Sequence, residues 1–155
     1  ADGRRKMLQS VRRAANPHVA FLGRIQGTRR FSDRERHPDN ELIPGVLIFR
    51  PEANLIYFNV DSVRDTIAER VRAEATPPKL VIIDLSASPH VDLQSAYALA
   101  GLAEELTAAG IRVQVVEARS AVRERLRREG LDAKLGGIDR YTSVADVVDS
   151  QEKNG

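Results

Sequence analysis

The spacing of apolar residues changes several times along the chain, and each change marks an element. In RRKMLQSVRRAA, 4–15, Met7, Leu8 and Val11 share one side of a short helix. Asn16 and Pro17 end it, because proline disfavours helix in the residue before it. VAFLGRI, 19–25, is too short for a globular helix and predicts the first strand. The polar stretch 26–45, with two prolines, two glycines and many charges, predicts a mobile surface insertion. VLIFRPE, 46–52, and NLIYFNV, 54–60, are rich in β-branched and aromatic residues and predict two strands in a hairpin.

Ser62 with Asp65 resembles a capping box, and Val63, Ile67 and Val71 then recur at helical spacing over about 62–75. Pro77 and Pro78 stop that helix. KLVIIDL, 79–85, is a continuous apolar run of the kind expected in a central strand covered on both faces. From Leu93 to Ala109 the period is helical again, with Leu99, Leu102 and Leu106 on one face and Gly110 as terminator. RVQVVE, 112–117, predicts a further strand. Ser120 opens a charged helix with Val122 and Leu126 inward, and Ser143 with Asp146 caps a last one that buries Val144, Val147 and Val148. This alternation predicts an α/β fold, with helices packed on a mixed sheet of about five strands.

Composition narrows the setting. A chain of 155 residues fits one domain and buries a core without disulfides, and the absence of cysteine excludes thiol chemistry and zinc–thiolate sites. Net charge is only +2, but residues 1–36 hold ten Arg or Lys against three acids. The front is therefore +7 and the remaining fourteen bases against nineteen acids leave −5 behind. A basic leader containing Arg4, Arg5, Lys6, Arg12 and Arg13 suits anionic lipid headgroups, where each base near the surface contributes about 1 kcal/mol. The competing reading is a solvated, disordered leader. Nucleic acid is disfavoured, since no aromatic residue interleaves with these bases before Phe21.

Catalytic chemistry is not evident. His18, His37 and His90 fall in separate loops or strand edges, with no second ligand at helical spacing, so no metal site is expected. Neither a phosphate-binding loop nor a dinucleotide fingerprint is present, and no cofactor is expected. The connection DLSASPHVDLQSA, 84–96, stands at the carboxyl end of the central strand, where partners meet open α/β sheets. Asp92 is placed to cap the following helix by accepting from Gln94 or Ser95, which would leave that helix end less able to hold an external phosphate. Asp84 and Asp92 lack a nucleophile or third polar partner, and catalysis is not expected from them.

The strand-to-helix run KLVIIDLSASPHVDLQSAYALAGLAEELTAAGIRVQVVEA and the downstream VRERLRREGL resemble a STAS domain, the module shared by sulfate transporters and anti-sigma factor antagonists. The front segment PHVAFLGRIQGTRRFSDRERHPDNELIPGVLIFRPEANLIYFN is similar to the segment after the last membrane helix of SulP anion transporters. The resemblance covers about 17–150. It implies a juxtamembrane basic linker over 1–16, a STAS domain over 17–150 and a short tail over 151–155.

It further implies a non-enzymatic regulatory domain at the cytoplasmic face of the bacterial inner membrane, its transmembrane part missing from this chain. Expected partners are that transmembrane part, a cytoplasmic regulatory protein, headgroups near the N-terminus, and a weakly held nucleotide or anion. In the antagonists a serine in an Asp-Ser-Ser/Thr-Gly-like motif is phosphorylated. Aligned on Asp92, that serine is replaced by Leu93, and Gln94 and Ala96 also depart from the motif. This argues against a phospho-switch and against the rival reading as a free-standing antagonist. The candidate regulatory loop comprises Ser86, Ser88, Asp92, Leu93, Gln94 and Ser95. Leu93 has two readings, a plug in the core or an anchor for a partner.

Overall fold

Successive side chains of a strand point to opposite faces, so a run that is apolar throughout can be satisfied only between two layers. All five residues of the central strand, Leu80–Asp84, are buried on these terms. The computed structural model describes residues 2–154; residues 1 and 155, the outermost of the predicted linker and tail, lie outside the described residues. The elements run α1 (Asp2–Ala15), β1 (Val19–Arg24), β2 (Phe31–Asp33), β3 (Val46–Pro51), α2 (Val60–Ala73), β4 (Leu80–Asp84), α3 (Leu93–Ala108), β5 (Arg112–Val116), α4 (Ser120–Arg128) and α5 (Val144–Asn154), with a 3-10 turn at Ala133–Leu135.

The strands form one mixed sheet in the order β2-β1-β3-β4-β5. β1 pairs antiparallel with β2 and β3, whereas β3, β4 and β5 run parallel through the crossovers α2 and α3. One face, with Leu47, Phe49, Val81, Ile83, Val113 and Val115, packs against α2, α3 and α4. The other, with Ala20, Leu22, Val46, Ile48, Leu80 and Ile82, is closed by Val144, Val147 and Val148 of α5. The α/β mixed sheet expected from the sequence is therefore present.

Two expectations are corrected, the strand over 54–60 and the capping box at Ser62 and Asp65. The run 54–60 is not a strand and makes no hairpin with β3. Leu55 forms only an isolated parallel bridge with Val91, and the chain then turns into α2. The reason is turn chemistry overriding strand propensity: the buried Asn59 side chain donates to the Asn54 carbonyl (2.9 Å) and accepts from the Ile56 N–H (3.1 Å), coiling the segment. In consequence α2 begins at Val60 and the Ser62/Asp65 capping box is not used.

The stretch 26–45, expected as a mobile surface insertion, contains β2 and the buried residues Asp33, Asn40 and Ile43. Asn40 donates from Nδ2 to the Ser32 carbonyl (3.1 Å) and Oγ (2.7 Å), Arg34 donates to the Asn40 carbonyl (3.0 Å), and Arg24 bridges to Glu41. Gly23 permits this close approach. A Cβ there would meet the Glu41 carbonyl at 2.9 Å and the Asn40 Cβ at 3.0 Å. α5 runs to Asn154 and so takes in Gln151–Asn154 of the segment expected as the C-terminal tail.

Candidate interaction site

Two connections meet at the carboxyl end of the parallel strands, 52–59 after β3 and 85–92 after β4. The β4 end turns sharply because the Asp84 carboxylate accepts from the Ser86 N–H at 2.8 Å. The buried Ser88 hydroxyl donates to the Ala53 carbonyl at 2.7 Å, fastening one connection under the other. Further bonds run from the Leu55 N–H to the His90 carbonyl, from the Asp92 N–H to the Leu55 carbonyl (3.0 Å each), and from the His90 N–H to Asn54 Oδ1 (3.0 Å).

Asp92 is the knot of this lacing. Its Oδ1 accepts from the Ser95 N–H and caps α3, as expected, while its Oδ2 accepts from the Tyr57 N–H, each at 2.8 Å. Burial alone pushes this carboxyl up, but the hydrogen bonds from Ser95 and Tyr57, with His90 nearby, outweigh it and hold the pKa below the ordinary carboxylate range. Near neutral pH the helix start is thus occupied by the protein's own carboxylate.

The predicted loop residues divide into scaffold and surface. Ser88 and Ser95 are fully buried, so neither presents a hydroxyl to a partner, and the Ser95 hydroxyl has no hydrogen-bond partner among the described residues. Ser86 and Asp92 are half-buried; Leu93 and Gln94 are exposed. Leu93, 43% exposed, does not plug the core. The apolar position is filled instead by Ala96 and Leu99 further along the helix.

Large exposed side chains that the sequence did not single out lie on the 52–59 connection and on α3. Tyr57 is 66% exposed, Phe58 45% and Tyr97 51%. Tyr57 is brought beside the α3 start by its hydrogen bond to Asp92, and Tyr97 follows Leu93 by one helical turn. The signal for Tyr57 and Phe58 was present in NLIYFNV but was absorbed by the expectation of a strand. Apolar and aromatic groups held on a rigid frame at a strand-end loop are suited to contacting another protein surface.

The basic leader forms α1, with no buried residue. Met7, Leu8 and Val11 are exposed on it together with Arg4, Arg5, Lys6, Arg12 and Arg13. Among the described residues no helix is long and apolar enough to cross a membrane.

Comparison with known families matches the STAS domain over residues 37–147. The chain belongs to the STAS domain family. This STAS domain is 30% identical over 157 residues to sulfate transporter 2.2 of Arabidopsis thaliana, covering 94% of the chain and 23% of that protein. It is 28% identical over 142 residues to a probable sulfate transporter of Mycobacterium tuberculosis, covering 92% of the chain and 25% of that protein. The chain spans about a quarter of the length of these curated relatives.

Among solved structures, SLC26A9 superposes with a TM-score of 0.80 at 20% identity, over 97% of this chain and 26% of that one. The SulP transporter STAS domain of Vibrio cholerae does so with a TM-score of 0.62 at 16% identity, over 78% of this chain and 94% of that one. At these identities the likeness is one of fold.

Proposed function

We propose that this STAS domain is the cytoplasmic regulatory module of a bacterial SulP-type anion transporter carrying sulfate, bicarbonate or a related anion. It is non-enzymatic and acts by contact, with the transmembrane part of the same polypeptide as first partner and a cytoplasmic protein as second. The observation that carries this reading is the exposed group Tyr57, Leu93 and Tyr97 around the α3 start, fixed by the double acceptance of Asp92. Leu93 stands where a phosphorylatable serine would be required, which disfavours the free-standing antagonist reading. The Asp92 carboxylate disfavours an anion or nucleotide at this helix end.

In the same reading α1 is juxtamembrane, with Arg4, Arg5, Lys6, Arg12 and Arg13 facing anionic headgroups and Met7, Leu8 and Val11 entering the interface. Two experiments test it. Leu93→Glu in the full transporter is expected to lower transport while domain stability is unchanged; unaltered transport overturns the contact role. Cosedimentation with anionic vesicles should fall on deletion of residues 1–15 and at high salt, and insensitivity to both removes the headgroup role.

A further inference from the structure

The three histidines are scattered in sequence, but folding brings two of them to one cleft of about 510 Å³, lined by His18, Ser32, Asp33, Arg36, His37, Arg50 and Glu52. His18 immediately precedes β1, Asp33 ends β2, and Glu35 and His37 lie in the turn beyond it. The His18 Nε2 and Asp33 Oδ2 are 2.9 Å apart, and ligand atoms of His18, Asp33 and Glu35 all lie within 4.8 Å of one another. Two donors bound at about 2.1 Å to a tetrahedral ion are separated by roughly 3 to 3.5 Å. At 2.9 Å the first pair is hydrogen-bonded and lies just inside that separation, so holding an ion requires the two groups to part slightly and the exposed Glu35 side chain to rotate in.

From this juxtaposition we propose that His18, Asp33 and Glu35 bind one divalent transition-metal ion of the zinc class, with His37 positioned at the cleft as an additional donor. One imidazole nitrogen with two carboxylates selects zinc, nickel or copper over magnesium or calcium, which take all-oxygen sets. The site is partly preorganised. Asp33 is buried, and its Oδ1 accepts from the Glu35 N–H at 2.8 Å, which fixes the carboxylate plane as outer hydrogen bonds to metal ligands do. Of the two nearby guanidinium groups, Arg50 is neutralised by Glu52, from Nε and Nη2 at 3.2 and 3.0 Å; Arg36 remains as an opposing charge. Binding through Nε2 would replace the hydrogen bond between His18 and Asp33 by a bond from each to the ion. It would also staple the link between α1 and β1 onto β2, fixing how the basic helix leaves the domain.

Calorimetric titration of the domain with zinc chloride tests this. One ion per domain is expected, with a Kd weakened at least tenfold in both His18→Gln and Glu35→Gln. Both residues are exposed, so these variants keep the fold, which their melting temperature without zinc verifies; His90→Gln is the unaffected control. Absence of saturable binding, or an unchanged Kd in His18→Gln, overturns the proposal.

Discussion

The segments 26–45 and 84–96 both read as polar connections, yet they use their polar groups in opposite directions. In 26–45 the side chains of Thr28, Asp33, Arg34 and Asn40 satisfy the segment's own backbone or that of its neighbours, and Arg29 reaches α5 at Asp146 (3.1 Å) and Asp149 (2.8 Å). The few apolar anchors are enough because hydrogen bonds and one short strand supply the remaining order. In 84–96 the polar groups Asp84, Ser88 and Asp92 are spent internally, while the apolar Leu93 faces outward beside His90 and Gln94, with the exposed Tyr57 and Tyr97 on either side of the segment. A polar loop can thus be scaffold and an apolar residue at a helix start can be surface. Average polarity does not separate the two cases; the destination of each hydrogen bond does.

The sharpest way to break the first half of this contrast is Gly23→Val. Its side chain collides with backbone at Glu41 and should cost about 3 kcal/mol in urea unfolding. A cost near zero would mean that 34–41 is not seated on β1. The matching test of the second segment is Asp92→Ala, which orphans the Ser95 and Tyr57 N–H groups and is expected to cost about 2 kcal/mol.

The same residue has a pH signature. Its folded pKa is depressed relative to the unfolded chain, so its contribution is fully present above about pH 4 and lost as pH falls through the folded value. The stability difference between wild type and Asp92→Asn should therefore shrink on acidification from about pH 6 to 3, as followed by thermal melts. A constant difference would show that Asp92 is not the titrating support.

Smaller effects sharpen the contrast. Asn40→Ala should cost about 1 kcal/mol and, in amide hydrogen exchange, speed the exchange of the Arg24 and Glu41 amides that pair across β1. In wild type those amides should be protected, while the amides of the exposed Arg36 and Asp39 should exchange fast. Uniformly fast exchange over 26–45 would support the reading as a mobile insertion. The smallest expected effect is that of Leu93→Glu on the stability of the isolated domain, within about 0.5 kcal/mol, because the side chain is already in water. A large loss there would reassign Leu93 to the core.

Much of this was legible in the amino-acid order. Continuous apolar runs announced β3 and β4, helical periods with glycine stops announced α3 and α4, and local spacing alone identified both Asp92 and the Ser143/Asp146 pair as caps. In the latter the Ser143 N–H donates to Asp146 (3.1 Å) and the Asp146 N–H to Ser143 Oγ (3.2 Å), bonds that close within four residues. Such features depend on neighbours in sequence, so the sequence determines them by itself. It also carried the α/β class, because alternating periods admit few layer arrangements.

Tertiary structure decided the rest. β2 has three residues and one large apolar side chain; it is a strand only because β1 offers an open edge to pair with. The aromatic run 54–60 fails as a strand because Val91 offers Leu55 only a single bridge and Asn59 coils the chain first. The exposure of Leu93, the approach of Tyr57 to Asp92 across 35 positions, and the meeting of His18 with Asp33 across 15 are all long-range. No local period encodes such meetings. They arise from strand order and register, which are set when the two faces of the sheet bury their apolar residues together.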